Sequence, residues 1–305
     1  MLTNFMQNIG NTPFMRINRL TSGLPGEVWV KVESCNPAGS IKDRIAFHMV
    51  DRAIDRGTLA ENGTIVEPTS GNTGVGLAFI AAVRGLKCIL TMPENMSLER
   101  RKLLAQYGAE VVLTPKEQGM AGAVAEAQRI RDERGAVMLD QFSNVDAVEA
   151  HYSTTGPEIY SYSMGRVDAL VSAVGSGSTI TGTGRYLKEN IDNFRVIAVE
   201  PAESPLLSEG KSGPHGIQGI GANFVPSILD RSLIDEIITV KTDDAFATAR
   251  SLFRQEVISC GISSGANVAA ALRVAARPEM AGKRIVTFIC DGGERYMSTP
   301  LFDQP

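Results

Sequence analysis

From residue 64 onward the chain repeats one pattern: a short apolar run, a turn carrying glycine, then a helical stretch. Strands that alternate with helices argue for a parallel sheet, because a parallel neighbour is reached only through a crossover connection. Runs at 64–67, 88–91 and 110–113 alternate with helical stretches ending at Arg84, then covering 97–107 and 120–134. A second block begins near Val145. It holds helix 150–162, strand 169–174, a helix to Glu189, strands 196–200 and 237–240, helices 243–257 and 266–277, and strand 285–290. No low-complexity linker separates the blocks, so two packed α/β units with a cleft between them are expected. The glycine-rich stretch 201–226 is longer than compact domains usually keep without a function.

Ahead of this region lies Asn36-Pro37-Ala38-Gly39-Ser40-Ile41-Lys42-Asp43-Arg44, preceded by turn signals and an alternating strand over 27–32. Asn-Pro with Ala-Gly marks a turn, Ser40 is a good N-cap, and Ile41, Ile45, Met49 and Ala53 recur at helical spacing. Lys42 is therefore expected on the first turn of a helix. The positive end of the helix dipole disfavours a cation there by roughly 0.3 to 1 kcal/mol, so this amine should lose its proton more readily than a surface lysine. That property suits a lysine that condenses with a carbonyl, although a solvated lysine opening an amphipathic helix would look the same in isolation.

Composition narrows the function classes. A net charge of -4 with evenly spread basic residues offers no face for nucleic acid or anionic lipid. No apolar run reaches a membrane span and the first 19 residues lack the pattern of a signal peptide, so a cytoplasmic protein is expected. Cys35, Cys88, Cys260 and Cys290 are far apart, which suggests reduced and mostly buried thiols. His48, His151 and His215 show no ligand spacing with one another or with cysteine, so no metal site and no Cys/His nucleophile is expected.

Two turns share a design that favours anions. Pro68-Thr69-Ser70-Gly71-Asn72-Thr73-Gly74 and Gly175-Ser176-Gly177-Ser178-Thr179 each follow a strand and open a helix, where unpaired N–H groups and small residues let an anion approach. One reading is a nucleotide: Gly175-x-Gly177, with Glu200 ending the next strand, is part of a dinucleotide fingerprint, though Ile180 stands at the third glycine and no Gly-Lys-Ser/Thr is present. The other is that one turn takes the phosphate of pyridoxal phosphate, the second takes a substrate carboxylate, and Lys42 takes the aldehyde. Gly261-Ile262-Ser263-Ser264-Gly265 is a third hydroxyl-bearing helix start, in which Ser263 or Ser264 reads as a plain cap or, for Ser263, as a partner of a pyridine nitrogen.

Taken together, the Lys42 segment, Thr69 to Gly74, Thr154-Thr155-Gly156-Pro157-Glu158, Gly175 to Thr179, Gly216-Ile217-Gln218-Gly219-Ile220-Gly221 and Gly261 to Gly265 resemble the cysteine synthase (O-acetylserine sulfhydrylase) family. The likeness runs from Ile9-Gly10-Asn11-Thr12-Pro13 to Glu294-Arg295-Tyr296-Met297-Ser298. It departs mildly at Ser178-Thr179, where many relatives carry another glycine. Residues 116–120, 151–153 and 290–293 resemble the B-type isozyme, and 213–219 the A-type.

The resemblance implies an α/β fold of two open, twisted, mostly parallel sheets flanked by helices, the tryptophan synthase β-like fold type II. It implies a smaller mobile domain over 41–146 that closes on substrate, and a larger domain over 1–40 and 147–305. Pyridoxal 5'-phosphate would be bound by Lys42, Asn72, Gly175, Ser176, Gly177, Ser178, Thr179 and Ser263, with Lys42 also moving the proton at the substrate α-carbon. Thr69, Ser70, Asn72, Thr73 and Gln141 would bind the substrate carboxylate. The implied reaction is β-replacement, from O-acetyl-L-serine and sulfide to L-cysteine and acetate. O-phosphoserine sulfhydrylase and cystathionine β-synthase resemble the same core and stay open as alternatives, as does, from another class, a nicotinamide dehydrogenase using 175–200. A homodimer and docking of a serine acetyltransferase C-terminal tail are further implications of the family.

Overall fold

A computed structural model describes residues 3–69 and 71–303. In chain order the elements are strands β1 (Phe14–Arg16) and β2 (Glu27–Val32), helix α1 (Lys42–Asp55), β3 (Thr64–Pro68), α2 (Asn72–Arg84), β4 (Lys87–Pro93), α3 (Leu98–Gln106), β5 (Glu110–Thr114), α4 (Gly119–Arg134) and α5 (Val145–Ala150). There follow α6 (Gly156–Ser163), β6 (Ala169–Ala173), α7 (Ser178–Asn190), β7 (Arg195–Pro201), α8 (Leu206–Glu209), β8 (Glu236–Val240), α9 (Thr242–Ser251), α10 (Ile262–Ala275) and β9 (Arg284–Ile289). Contacts divide the chain into two compact units, one of Met1–Ile9 and Asn36–Ala150, the other of Gly10–Cys35 and His151–Pro305.

The first unit is built on a parallel sheet in the order β3-β4-β5. Val66, Ile89, Ala127, Ile130 and Ala136 form a core between this sheet and α4. Ile41, Ile45, Met49 and Ala53 are all buried, as their helical spacing requires. Helix α2 is buried from Thr73 to Ala81, and it lies so close to α1 that a Cβ at Gly76 would stand 3.0 Å from the Ala46 Cβ and 3.2 Å from the Lys42 carbonyl oxygen.

The second unit carries a six-stranded sheet in the order β1-β2-β9-β6-β7-β8, parallel except for the edge strand β1. Both sheets are thus mostly parallel and helix-flanked, as the strand-helix alternation predicts. Strand β2, near the N-terminus, pairs with β9 near the C-terminus, Glu27 facing Arg284 and Val32 facing Ile289. Alternation along β2 would place Lys31 on a polar face. Both faces of this strand are covered instead, and Lys31 is wholly buried, its Nζ 2.6 Å from Glu158 and 2.7 Å from the Thr12 carbonyl oxygen.

Several boundaries differ from the sequence reading. The single helix expected over 150–162 is α5, a π-helical stretch His151–Thr155 and α6. The one expected over 243–257 is α9 followed by a π-helical stretch Leu252–Glu256, which stops at Val257 in the left-handed region. Helix α10 starts at Ile262 because Gly261, not Ser263 or Ser264, is its N-cap. Likewise Ile41, not Ser40, occupies the N-cap of α1, although the Ser40 Oγ still accepts the Lys42 N–H at 3.2 Å. Among the described residues no helix is long and apolar enough to cross a membrane.

Candidate active site

On the first unit, Lys42 is half-buried at the first position of α1, and Asn72 and Thr73 open the neighbouring α2. Thr69 is buried in the turn that joins β3 to α2, where its Oγ1 accepts the Gly71 N–H at 3.3 Å. Gly74 keeps this turn tight against the helix: a Cβ there would lie 3.2 Å from the Thr69 carbonyl oxygen. Ser70, expected to bind the substrate carboxylate, lies outside the described residues. Gln141 comes from a different segment, and its Oε1 accepts the Thr73 hydroxyl at 2.7 Å. Two of the expected carboxylate-binding side chains therefore meet, although 68 residues separate them in sequence.

Gln141 is held by a residue that sequence reasoning passed over. The Glu67 carboxylate, on β3, accepts the N–H groups of Leu139 and Asp140 at 3.1 Å each and of Gln141 at 3.3 Å. Burial pushes its carboxyl up to about 7, against the opposing pull of the three N–H donors. A glutamate ending a strand carries no local signal for this role, because its partners come from a turn more than 70 residues on.

On the second unit, Gly175 to Thr179 form the turn between β6 and α7. Gly177 is the N-cap of α7, at φ +85°, and makes no side-chain cap. The first N–H groups of the helix, at Ser178, Thr179 and Ile180, have no partner within it by helix geometry. The turn has no room for side chains at its glycines. A Cβ at Gly175 would stand 2.5 Å from the Gly219 carbonyl oxygen, and one at Gly177 would stand 2.9 Å from the Leu229 Cβ. Buried Ser176 and Ser178 place their hydroxyl oxygens 3.0 Å apart, and the Thr179 Oγ1 lies 3.2 Å from the His151 Nε2. His151 is itself fully buried, and its Nδ1 is 2.9 Å from the Thr155 Oγ1. Helical spacing could have flagged the His151–Thr155 pair, but its reach to Thr179 is a tertiary contact.

The glycine-rich loop has a place here as well. Gly221 donates its N–H to the Val174 carbonyl at 3.0 Å, which lays the loop along the turn. A Cβ at Gly219 would stand 3.8 Å from the Ser263 Oγ, so this loop runs between the turn and the start of α10. Ser263 is buried at the second position of α10. Its neighbour Ser264 is engaged in the fold, its Oγ accepting the Cys290 N–H at 2.8 Å.

The dinucleotide reading fails at Glu200. Its carboxylate is buried and accepts the N–H groups of Leu207 at 2.7 Å and Ser208 at 3.0 Å, at the start of α8, so it is committed to the loop and does not face a ribose. The donors around 175–179 are backbone N–H groups and neutral hydroxyls, with space kept by glycine, and this set suits a phosphate. A neutral hydroxyl at Ser263 suits an unprotonated ring nitrogen. The donor set of the 175–179 turn thus fits the phosphate group of pyridoxal phosphate.

Among the described residues no group of three or more His, Cys, Asp or Glu side chains is arranged to hold a metal ion. Among the described residues no cysteine forms a disulfide; Cys88 and Cys260 are buried and Cys35 is exposed. Burial pushes the Cys88 thiol up to about 12 and raises that of Cys260 as well.

Comparison with known proteins places these features in company. Residues 5–291 match the family described as pyridoxal-phosphate dependent enzyme. A cysteine synthase of Staphylococcus aureus is 45% identical over 300 residues, which cover 98% of this chain and 96% of that protein. The crystal structure of a cysteine synthase (OASS) from Entamoeba histolytica superposes with a TM-score of 0.97 at 40% identity, covering 100% of this chain and 92% of the other. An O-ureido-L-serine synthase superposes with a TM-score of 0.95, also at 40% identity, covering 100% and 96%.

Proposed function

The chain belongs to the pyridoxal-phosphate dependent enzyme family, and from that premise we propose that it catalyses the cysteine synthase reaction, O-acetyl-L-serine plus sulfide giving L-cysteine plus acetate. The observation that carries the reading is the turn at Gly175 to Thr179, whose glycines have no room for a Cβ and whose helix start is left without a side-chain cap. The cysteine synthase relatives, at 45% and 40% identity over nearly the whole chain, support the choice of reaction within the family.

When bound, pyridoxal phosphate supplies the electron sink that lets the substrate lose its α-proton and its β-substituent. The chain's own groups do the rest. Lys42 would hold the cofactor through its aldehyde, and its amine would take the proton from the substrate α-carbon and return it. Gly175, Ser176, Gly177, Ser178 and Thr179 would hold the phosphate, Asn72 would hydrogen-bond the ring hydroxyl, and Ser263 would partner the ring nitrogen through a neutral hydroxyl. Thr69, Ser70, Asn72, Thr73 and Gln141 orient the substrate through its carboxylate. Movement of a smaller domain over 41–146 excludes water while the β-position is reactive.

The reading extends to a cytoplasmic homodimer and to docking of a serine acetyltransferase C-terminal tail. Sedimentation of the purified protein, and competition between a synthetic tail peptide and substrate, test these two points. A second reading concerns the donor and nucleophile, since an O-ureido-L-serine synthase is as similar in sequence as the Entamoeba enzyme. Turnover is to be measured with O-acetyl-L-serine against O-phosphoserine and with sulfide against homocysteine, alongside the formation of O-ureido-L-serine. Highest kcat/KM for O-acetyl-L-serine with sulfide is the expected result. A protein that carries no pyridoxal phosphate and binds NADH would end the proposal.

A further inference from the structure

We propose that Glu67 is a positioning residue for the substrate carboxylate, setting the 139–141 turn so that Gln141 meets Thr73; this rests on the function proposed above, in which those two side chains bind the carboxylate. Beside β3, Val137 behaves as an added strand: its N–H donates to the Thr64 carbonyl at 2.8 Å, and its carbonyl accepts the Val66 N–H at 3.0 Å. Beyond Val137 the ladder stops. The next N–H groups, of Leu139, Asp140 and Gln141, turn to the Glu67 side chain.

The turn they form includes a residue in a sparsely populated conformation. Asp140 sits at φ +49°, in the left-handed region that non-glycine residues avoid. Its own carboxylate accepts the Phe142 N–H at 3.2 Å, and the Asn144 Nδ2 donates to the Leu139 carbonyl at 2.8 Å, so the far side of the turn is tied as well. Three N–H groups converge on one buried carboxyl group, a receptor occupied by the protein's own side chain. An apolar residue at 67 would spare the cost of burying a carboxyl group but would leave these donors unpaired. The outcome of the arrangement is the placement of Gln141, whose Oε1 lies 2.7 Å from the Thr73 Oγ1 at the start of α2.

The test uses the holoenzyme with Glu67→Gln, Glu67→Asp, Gln141→Ala and the double variant Glu67→Gln/Gln141→Ala. Two quantities are read: KM and kcat for O-acetyl-L-serine taken separately, and amide hydrogen exchange over 137–144. Glu67→Gln replaces one accepting oxygen by an amide nitrogen that cannot accept, so about a tenfold rise in KM with kcat within about threefold of wild type is expected. Exchange at 139–141 should speed up by about tenfold while α2 stays protected. If Glu67 acts through Gln141, the double variant should lie within about threefold of Gln141→Ala alone, because effects on one shared interaction do not add. Should Glu67→Gln fail to fold, Glu67→Asp carries the test, with a smaller rise in KM and the same non-additivity. Wild-type turnover combined with unchanged KM and unchanged exchange in the Glu67 variants, or with effects of Glu67 and Gln141 that multiply, overturns this inference alone. Absence of wild-type turnover with every β-substituted serine overturns the proposed function, and this inference with it.

Discussion

At the start of α7 the hydroxyls come from neighbours in sequence, Ser176 and Ser178 3.0 Å apart, and glycine contacts with Gly219 and Leu229 confine the backbone around them. At the start of α2 the partner of Thr73 is Gln141, a side chain from another segment, and Gln141 depends in turn on Glu67. Under the proposed function, one site combines main-chain N–H groups with hydroxyls adjacent in sequence, and the other joins side chains from separate segments. Main-chain donors with glycine spacing allow little adjustment, which under the proposed function suits the phosphate of a retained cofactor. Side chains carried on separate segments can shift together, which suits a carboxylate that arrives and leaves with each one.

This contrast can be broken most severely at the residue on which both halves of the proposed chemistry depend. Lys42→Ala should lower the cysteine-forming rate by ~10³-fold or more, equivalent to about 4 kcal/mol, and remove the visible absorbance of the bound cofactor while the far-ultraviolet circular dichroism is kept. Wild-type turnover by that variant would refute the role of the amine.

Titration of Glu67 gives the next largest effect, and it belongs to the side-chain site alone. Unfolded, this carboxyl ionises near 4.5, whereas in the folded protein burial holds its proton up to about 7, with Asp140 adding a smaller push in the same direction. Its contribution to stability is therefore fully present below 4.5, falls as pH rises towards 7, and is constant above. The drop is at most about 3 kcal/mol. Denaturant melts from pH 4.5 to 8 should show this slope in wild type and lose it in Glu67→Gln. Equal slopes in the two proteins would mean that the carboxyl is already ionised at the lower end.

On the main-chain side, Gly177→Ala puts a Cβ at φ +85° and 2.9 Å from the Leu229 Cβ, so a cost of about 2 kcal/mol is expected. It should appear as weaker retention of pyridoxal phosphate on dialysis, with KM for O-acetyl-L-serine little changed in the loaded fraction. Thr73→Val is the mildest change. Removing its hydroxyl should raise KM for O-acetyl-L-serine about tenfold, near 1.4 kcal/mol, with cofactor retention untouched. If both variants altered cofactor retention equally, the division between the two sites would not hold.

The same division governs what could be read in advance. The glycines and hydroxyls of 175–179 are contiguous, so their chemistry is visible as a string of letters, and so is the placement of Lys42 by the spacing of Ile41, Ile45, Met49 and Ala53. The contact of His151 with Thr179, the commitment of Glu200 to α8 and the hold of Glu67 on Gln141 were not legible. Each depends on which segments fold next to each other, and a polar residue gives the same local signal whether its partner is water, a ligand or a distant N–H. The start of α10 was misjudged for a related reason. Ser263 and Ser264 are good caps in isolation, yet Gly261 takes that position and the Ser264 hydroxyl is drawn to the Cys290 N–H instead.

Periodicity and turn chemistry act over a few residues, and within that range the sequence alone settled the strand-helix alternation and the mostly parallel sheets. Strand order is another matter. That β2 lies beside β9, and that the wholly buried Lys31 finds Glu158, follow from the burial of two sheet faces at once, a condition set by the whole unit and by no window along the chain.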